Sequence, residues 1–237
     1  MNDSQENHPG TPELQLGMAA DAGGPGTPEL QLGMAKNADE PLGYYKRFLP
    51  HRDIGGMLQF ITYRLADSLP AEALDKIAAE LKMIPPDRLE TERRKRMEDW
   101  LDAGYGCCAL RHPEAAQYVI RAWQHFDGDR YDLLTWVVMP NHVHVLIRIY
   151  PGMMLGKIVQ SWKSFTGRRI RKFMNGQAQA NQEDGVWMRE YWDRAIRDEK
   201  HFWITVKYIQ GNPVKAGLAK SKEEWPWSSV SHHPELG

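Results

Sequence analysis

Two apolar runs separated by only two residues constrain the fold of this chain more than any other feature of its sequence. The runs are 131–139 and 142–149, and Pro140 and Asn141 lie between them. Both are rich in branched and aromatic residues, which is typical of strands. A two-residue break between two such runs indicates an antiparallel hairpin, although Pro-Asn is not the favoured Asn-Gly turn. The sequence therefore predicts a hairpin at the centre of the fold.

Segments with helical or strand-like spacing flank this hairpin. Strands are predicted at 57–65 and near 186–196, and helices at 71–83, 87–102, 113–126, 155–173 and from Asp198 to about Pro213. Because a proline pushes the preceding residue out of helical geometry, Asn212 is predicted to lie at the end of the last helix. The irregular alternation around the hairpin predicts an α+β sandwich with helices on one face of an antiparallel sheet.

The N-terminal part of the chain has a different composition. Residues 1–43 are rich in Gly, Pro and Ala, carry seven acidic residues against one base, and contain the unit GTPELQLGMA at 10–19 and again at 26–35. Two copies are too few for a repeat fold, so a disordered acidic tail is predicted, with a short partner-binding motif used twice as the alternative. Residues 44–237 hold 29 bases and 24 acids, and this basic balance is compatible with nucleic acid.

Cysteine usage and hydropathy indicate the cellular compartment of the protein. The two cysteines, Cys107 and Cys108, are adjacent and too few for a disulfide framework, which favours a reducing compartment. No apolar run reaches the roughly 18–20 residues that span a bilayer, and the N-terminus lacks the regions of a signal peptide. The sequence predicts a cytoplasmic protein without a membrane partner.

The motif His142-Val143-His144 is the first candidate for chemistry. Alternation along a strand places both imidazoles on one face, where they can converge on a divalent ion. An isolated His-X-His is also typical of two polar strand residues. Tyr208 and Asn212 lie one turn apart on the last helix, and the Asn212 amide oxygen would complete a nitrogen and oxygen ligand set that suits Mn²⁺ or Mg²⁺. The alternative for Tyr208 is an ordinary half-buried aromatic residue.

A second candidate is the helix at 155–173. Residues 133–182 contain no Asp or Glu, while basic residues accumulate there. The helical ones are Lys163, Arg168, Arg169, Arg171 and Lys172. A surface of one sign beside a metal pair indicates contact with a phosphodiester backbone. In the stretch 92–99, by contrast, acids interleave the bases, which favours a solvated helix face.

In combination, these segments resemble the REP-associated tyrosine transposases of bacteria, within the single-tyrosine transposases of the HUH endonuclease superfamily. The stretches that carry the resemblance are WVVMPNHVHVLI (136–147), SWKSFTGRRI (161–170), WMREYWDRAIRDEKHF (187–202), YIQGNPVKAGL (208–218) and EWPWSS (224–229). The resemblance excludes the tail at 1–43. It also marks the helical stretch at about 66–104 as an insertion within a transposase domain that spans 44–237.

The resemblance implies a ferredoxin-like sandwich and a role for each matching residue. His142 and His144 fall on the metal ligands, Tyr208 on the nucleophile, and Asn212 on the third ligand, where other members carry Gln. Attack by the tyrosine on single-stranded DNA gives a 5′-phosphotyrosine and a free 3′-hydroxyl, and the same site can rejoin the strands. The implied substrates are imperfect palindromic hairpins, with the five bases of the 155–173 helix as candidates for gripping them.

Two other functions compete with this hypothesis. One is a DNA-binding regulator that recognises such repeats without cutting them, and the other is an HxH phosphoesterase acting on small molecules or RNA ends. The presence of His142, His144 and Tyr208 together argues against the regulator, and a phosphoesterase would need neither Tyr208 nor a long basic helix. Whether the protein acts as a monomer or a dimer stays open.

Overall fold

The predicted hairpin forms the centre of a four-stranded antiparallel sheet. In the computed structural model, which describes residues 56–176 and 185–232, strand β2 (Tyr131–Val138) pairs with β3 (His142–Ile149). Strand β1 (Met57–Arg64) pairs with the other edge of β3, and β4 (Trp192–Ala195) pairs with β1. The strand order is therefore β2-β3-β1-β4. The predicted central position of the hairpin strand that carries both histidines is confirmed.

Six α-helices accompany the sheet in the described part of the chain. They are α1 (Ala71–Leu81), α2 (Pro86–Asp102), α3 (Pro113–Gln124), α4 (Leu155–Gly176), α5 (Glu199–Lys215) and α6 (Ser229–His232). A 3-10 turn at Ala109–Arg111 precedes α3. The order β1-α3-β2-β3-α4-β4, together with the strand order, is the ferredoxin-like arrangement. The predicted α+β class is confirmed.

One face of the sheet is covered by α3 and α4 over an aromatic core. Tyr63, Trp123, Tyr131 and Trp162 are almost fully buried there. Their polar atoms are paired: Trp123 Nε1 donates to Tyr63 Oη at 3.1 Å, and Trp162 Nε1 donates to Tyr131 Oη at 2.9 Å. The Tyr131 hydroxyl in turn donates to the Trp123 carbonyl at 2.6 Å. Because buried aromatic residues with paired polar ends dominate core energetics, this face holds the sheet in place.

The opposite face of the sheet is covered by α5, whereas the prediction placed the helices on one face. Phe202, Val206 and Ile209 of α5 pack against Leu146 of β3. The neighbouring Val145 points to the α3 and α4 side. On this face β3 contributes Leu146 as its apolar residue, while Leu58 of β1 and Leu134 and Val137 of β2 complete the apolar surface under α5. A sheet with apolar residues on both faces requires cover on both, which explains why helices lie on each side.

The start of α5 agrees with the prediction and its end does not. The Asp198 side chain accepts a hydrogen bond from the His201 backbone N–H at 2.8 Å, which caps the helix. The helix does not end near Asn212 but continues through Pro213 to Lys215, and the Asn212 carbonyl accepts from the Ala216 N–H at 2.9 Å. The fixed φ of proline suits a helix, and near the last turn the ring removes only one hydrogen bond. The prediction that Asn212 lies at the helix end was wrong.

Several predictions fall on other parts of the chain. The acidic tail at 1–43 with its duplicated unit lies outside the described residues, as do 177–184 and 233–237. Helices α1 and α2 occupy the stretch that the resemblance marks as an insertion. Within the described ranges, the length and apolar character of each helix fall short of what a membrane crossing requires.

Candidate active site

The histidine pair lies on the face of β3 that α5 covers. His142 and His144 are 1% and 0% exposed, and their ring centroids are 4.8 Å apart. Strand alternation places them on the side of Leu146, away from Val143 and Val145, which face α3 and α4. The sequence prediction that both imidazoles project together agrees with this geometry.

Hydrogen bonds to Nδ1 orient both imidazoles, so that His142 Nε2 points toward Asp102 and His144 Nε2 points toward Tyr208. Asn141 Nδ2 donates to the Tyr105 carbonyl at 3.0 Å, which turns Asn141 Oδ1 toward His142 Nδ1 at 2.8 Å. Because an amide oxygen only accepts, His142 Nδ1 carries the proton and Nε2 holds a free lone pair. His144 Nδ1 is paired with Thr62 Oγ1 at 2.8 Å, across the β1–β3 ladder. Such partners on the far nitrogen are typical of metal-binding histidines.

Tyr208 and Asn212 reach this pair from α5. The Tyr208 hydroxyl lies 3.5 Å from His144 Nε2, and the two rings are 5.2 Å apart between centroids. Asn212, one turn later on the same helix face, is 1% exposed. Both polar atoms of its amide are buried and have no hydrogen-bond partner in the part of the chain that the structure describes. The structure thus places Tyr208, Asn212, His142 and His144, the four residues predicted for the catalytic centre, on one face of the sheet.

Burial holds these groups in their neutral forms. It lowers the pKa of His142 to about 3, with a further contribution from the positive charge of Lys215. The pKa of His144 is lowered well below its usual value, first by burial and then by His142 and Lys215. Burial raises the pKa of Tyr208, and the carboxylates of Glu98 and Asp102 raise it further. The imidazoles are therefore free to act as ligands, while Tyr208 needs help to become a phenolate.

The acidic end of α2 lies against this site, which sequence reasoning did not foresee. Asp102 Oδ1 is 4.0 Å from His142 Nε2, and Asp102 Oδ2 accepts from Lys215 Nζ at 2.8 Å. Asp99 lies 3.8 Å from the same ammonium. The spacing of Tyr208, Asn212 and Lys215 on one helix face was the available signal for Lys215. No local pattern indicates that α2 packs there.

A cavity of about 240 Å³ opens beside Tyr208 between α2 and α5. Its lining includes the basic residues Arg94, Lys95 and Arg194 next to Tyr208. Arg94 Nε is buried and has no hydrogen-bond partner among the described residues. The stretch 92–99 was predicted to be a solvated face; this holds for Arg93, Lys95 and Asp99, which are exposed, whereas Arg94 is half-buried and Met97 is buried. The Nε–H of Arg94 beside a tyrosine is suited to a phosphate oxygen.

The structure does not bring the basic residues of α4 to the histidine pair. Because α4 packs on the other face, the sheet separates the two groups. Lys163, Arg168 and Arg171 line a cavity of about 530 Å³ together with Arg189. Arg169 instead lies over the ring of Phe165, 4.8 Å from its centroid, and Lys172 is exposed. Three of the five residues predicted to contact DNA therefore line a separate basic cavity, where Lys163 Nζ donates to the carbonyls of Met188 and Arg189 at 2.6 and 2.7 Å.

The four residues of this site fall within a stretch that matches a known protein family. The sequence profile of the family described as "Transposase IS200 like" matches residues 114–212, a stretch that runs from α3 through both histidines to Tyr208 and Asn212. This stretch of the chain is therefore similar to the IS200-like transposases. The match stops short of α1 and α2, so the acidic helix beside the site lies outside the family's matched residues.

Individual relatives agree with the family. The chain is 31% identical over 100 residues to a REP-associated tyrosine transposase of Escherichia coli K12, covering 42% of this chain and 54% of that protein. It is 29% identical over 97 residues to a Haemophilus influenzae protein named "Putative REP-associated tyrosine transposase", covering 39% and 54%. The chain thus spans about half the length of these curated relatives. A solved structure of a REP-associated tyrosine transposase bound to a REP hairpin covers 76% of this chain and 79% of that chain, at 20% identity and a TM-score of 0.43.

The donor set fits the divalent ion that this superfamily implies. Two neutral imidazoles face a buried amide whose oxygen lacks a partner of good geometry within the described residues. Among those residues, no three His, Cys, Asp or Glu side chains are already close enough together to hold an ion, so binding would require side-chain movement. Nitrogen and oxygen donors of this kind accommodate Mn²⁺ or Mg²⁺.

Proposed function

We propose that the protein cleaves and rejoins single-stranded DNA at palindromic hairpins, with Tyr208 as the nucleophile and a Mn²⁺ or Mg²⁺ ion held by His142, His144 and Asn212. The observation that carries the proposal is the 3.5 Å approach of the Tyr208 hydroxyl to His144 Nε2. A phenol that close to a candidate metal ligand can reach a phosphate bound to the same ion. The family match over residues 114–212 supports a DNA-processing transposase.

The proposed reaction exchanges one phosphoester for another. The Tyr208 oxygen attacks the phosphorus, a bond to the phenol oxygen forms, and the bond to the 3′-oxygen breaks. The phenol proton passes to a nearby base, for which Glu98 beside the ring is placed, and the 3′-oxygen leaves as a hydroxyl after taking up a proton. When bound, the divalent ion acts as a Lewis acid toward a non-bridging phosphate oxygen. Because no water is consumed, attack by the 3′-hydroxyl on the phosphotyrosine rejoins the strand.

Two basic surfaces support DNA as the substrate. The cavity beside Tyr208 offers Arg94, Lys95 and Arg194 to the phosphates next to the scissile bond. The α4 surface, which includes Lys163 and Arg168, lies on the other side of the sheet and is suited to the backbone of a folded hairpin. A strand that contacts both surfaces would have to pass around an edge of the sheet. The proposed roles of Arg169, Arg171 and Lys172 belong to the same hairpin contact.

The test is covalent capture of the tyrosine. Labelled single-stranded hairpin oligonucleotides from the protein's own genomic surroundings are incubated with the protein and Mn²⁺ and run on denaturing gels. We expect a protein–DNA adduct that is absent with EDTA, with Tyr208→Phe and with His144→Ala. The matched control is Tyr118→Phe, which removes a phenol hydroxyl from α3 on the opposite side of the sheet and should leave the adduct unchanged.

Two results would contradict the proposal. An adduct that persists in Tyr208→Phe would place the nucleophile elsewhere. Tight hairpin binding with no adduct under Mn²⁺ or Mg²⁺ would make the protein a binding protein of such repeats rather than an enzyme.

A further inference from the structure

We propose that Asp102 is an additional ligand of the divalent ion, supplied by helix α2 from outside the residues matched by the family. The inference rests on the proposed metal-dependent function and extends it. It adds a carboxylate to the two imidazoles and the amide, and it gives the helical segment before α3 a direct part in the site.

The distance between Asp102 and the nearer histidine is the first argument. Asp102 Oδ1 lies 4.0 Å from His142 Nε2. Bonds of Mg²⁺ to its ligands are about 2.1 Å long, so two ligand atoms of one ion are separated by about 3 Å at a right angle and by about 4.2 Å in line. The observed separation falls within this range. An ion can therefore be seated between the two atoms with small side-chain movements.

The hydrogen bonding of Asp102 is the second argument. Lys215 Nζ holds Oδ2 at 2.8 Å, whereas Oδ1 is buried and has no hydrogen-bond partner among the residues described. A buried acceptor without a partner costs free energy, and a carboxylate oxygen more so when it is charged. The ion pair with Lys215 turns Oδ1 toward His142, so metal binding would leave the ion pair intact. Lys215 is thus a positioning residue.

Asn212 provides an independent indication of a missing ligand at the same place. Its side chain is 1% exposed, and its Oδ1 and Nδ2 make no hydrogen bond of good geometry in the described ranges, although the Tyr208 hydroxyl lies near enough to interact with the amide. It lies on the face of α5 between Tyr208 and Lys215, which contact the histidine pair and Asp102 respectively. Poorly satisfied oxygens from two helices thus occur together with the Nε2 atoms of two imidazoles.

The local charge also favours a dication. Glu98, Asp99 and Asp102 lie at the C-terminal end of α2, and Lys215 is the cation that pairs with them. The histidines are neutral. On the Asp102 side of the site, a bound Mn²⁺ or Mg²⁺ would therefore face three carboxylates and one ammonium, while Arg94 and Lys95 line the cavity on the Tyr208 side.

The test measures metal binding without DNA. Mn²⁺ is titrated calorimetrically into the full-length protein and into Asp102→Asn, which keeps the size of the side chain. We expect Asp102→Asn to weaken Mn²⁺ binding by about tenfold or more, in the range seen when groups that support a metal site are removed. Asp99→Asn is the matched control: it removes the same charge from the same helix, near the same lysine, and should change the affinity by less than about threefold.

The outcomes separate this inference from the proposed function. Unchanged Mn²⁺ affinity in Asp102→Asn, with affinity lost in His144→Ala, would overturn the role of Asp102 and leave the proposed function standing. Equal weakening in Asp102→Asn and Asp99→Asn would also overturn it, because the effect would then be one of general charge. Absence of Mn²⁺ binding by the unmutated protein would contradict the metal-dependent function itself. Melting curves in EDTA and in Mn²⁺ give a second readout: the metal-induced rise in Tm should shrink in Asp102→Asn alone.

Discussion

The two faces of the sheet differ in how their buried polar side chains are paired. On the α3 and α4 face, the polar ends of Tyr63, Trp123, Tyr131 and Trp162 are hydrogen-bonded, although the Oε1 atom of Gln59 is buried there without a partner among the described residues. On the α5 face, polar atoms of Asn212 and Asp102 are buried without partners in the described part of the chain. Unpaired buried polar groups destabilise a fold. A bound ligand can supply the partner that such groups lack. The comparison indicates that one face supplies stability and the other supplies chemistry.

The largest expected effect is the loss of stability when an aromatic residue is removed from the α3 and α4 face. Trp162→Ala should lower the free energy of unfolding by about 3–5 kcal/mol, because a fully buried indole is replaced by a cavity and the Tyr131 hydroxyl loses a donor. Urea denaturation in EDTA measures this loss. Mn²⁺ affinity of the variant, measured well below its melting temperature, should stay within about threefold of the unmutated protein.

A different result would break the comparison. If Trp162→Ala abolished Mn²⁺ binding while remaining folded, the two faces would be coupled through β3, and the separation of stability from chemistry would be wrong.

Features of the fold that depend on short-range sequence patterns could be predicted from the sequence, whereas features that depend on distant contacts could not. The hairpin and the five predicted helices follow from short-range patterns: period two in β3 and period 3.6 in the helices. The position of Tyr208 near the histidines was implied by the resemblance to the transposases and does not follow from these patterns. The helix on the second face could not be predicted from β3 alone, because Leu146 is the apolar residue that β3 places there between His144 and Arg148. The rest of that apolar surface comes from Leu58 and Val137 on other strands.

The parts of the site that were missed depend on contacts distant in sequence. Asp102 and Lys215 meet across 113 residues, and Arg94 joins Arg194 in one cavity only because α2 packs beside α5 and β4. Interleaved charges at 92–99 predict a solvated helix face whether or not α2 packs beside α5 and β4. The basic residues of α4 were predicted beside the metal pair because they are close in sequence to β3, but a helix that follows a strand can cover either face.

A smaller effect is expected when charge is reversed on the α4 surface. Arg168→Glu should weaken binding of a single-stranded hairpin by about tenfold and reduce the salt dependence of binding by about one phosphate contact. Arg168 is exposed and lines the larger basic cavity. Fluorescence anisotropy at several salt concentrations measures both quantities. Arg121→Glu, an exposed charge reversal on α3 outside that cavity, is the control and should have less effect. Equal losses in the two variants would show that only the overall charge of the protein matters and would remove α4 as a defined DNA surface.

The smallest effect is expected at Asn212, and its sign is the sharpest test of the comparison. Asn212→Leu replaces an amide that lacks hydrogen-bond partners in the described structure by an apolar side chain of similar size. In EDTA, the free energy of unfolding should therefore stay unchanged or rise by up to about 1 kcal/mol, because a buried polar group without partners is removed. The Mn²⁺-induced rise in Tm should disappear in the same variant, since the amide oxygen is a proposed ligand. Thermal melts with and without Mn²⁺ measure both changes. A loss of stability in EDTA would mean that the amide is already hydrogen-bonded without metal, and Asn212 would then no longer distinguish the α5 face from the face beneath α3 and α4.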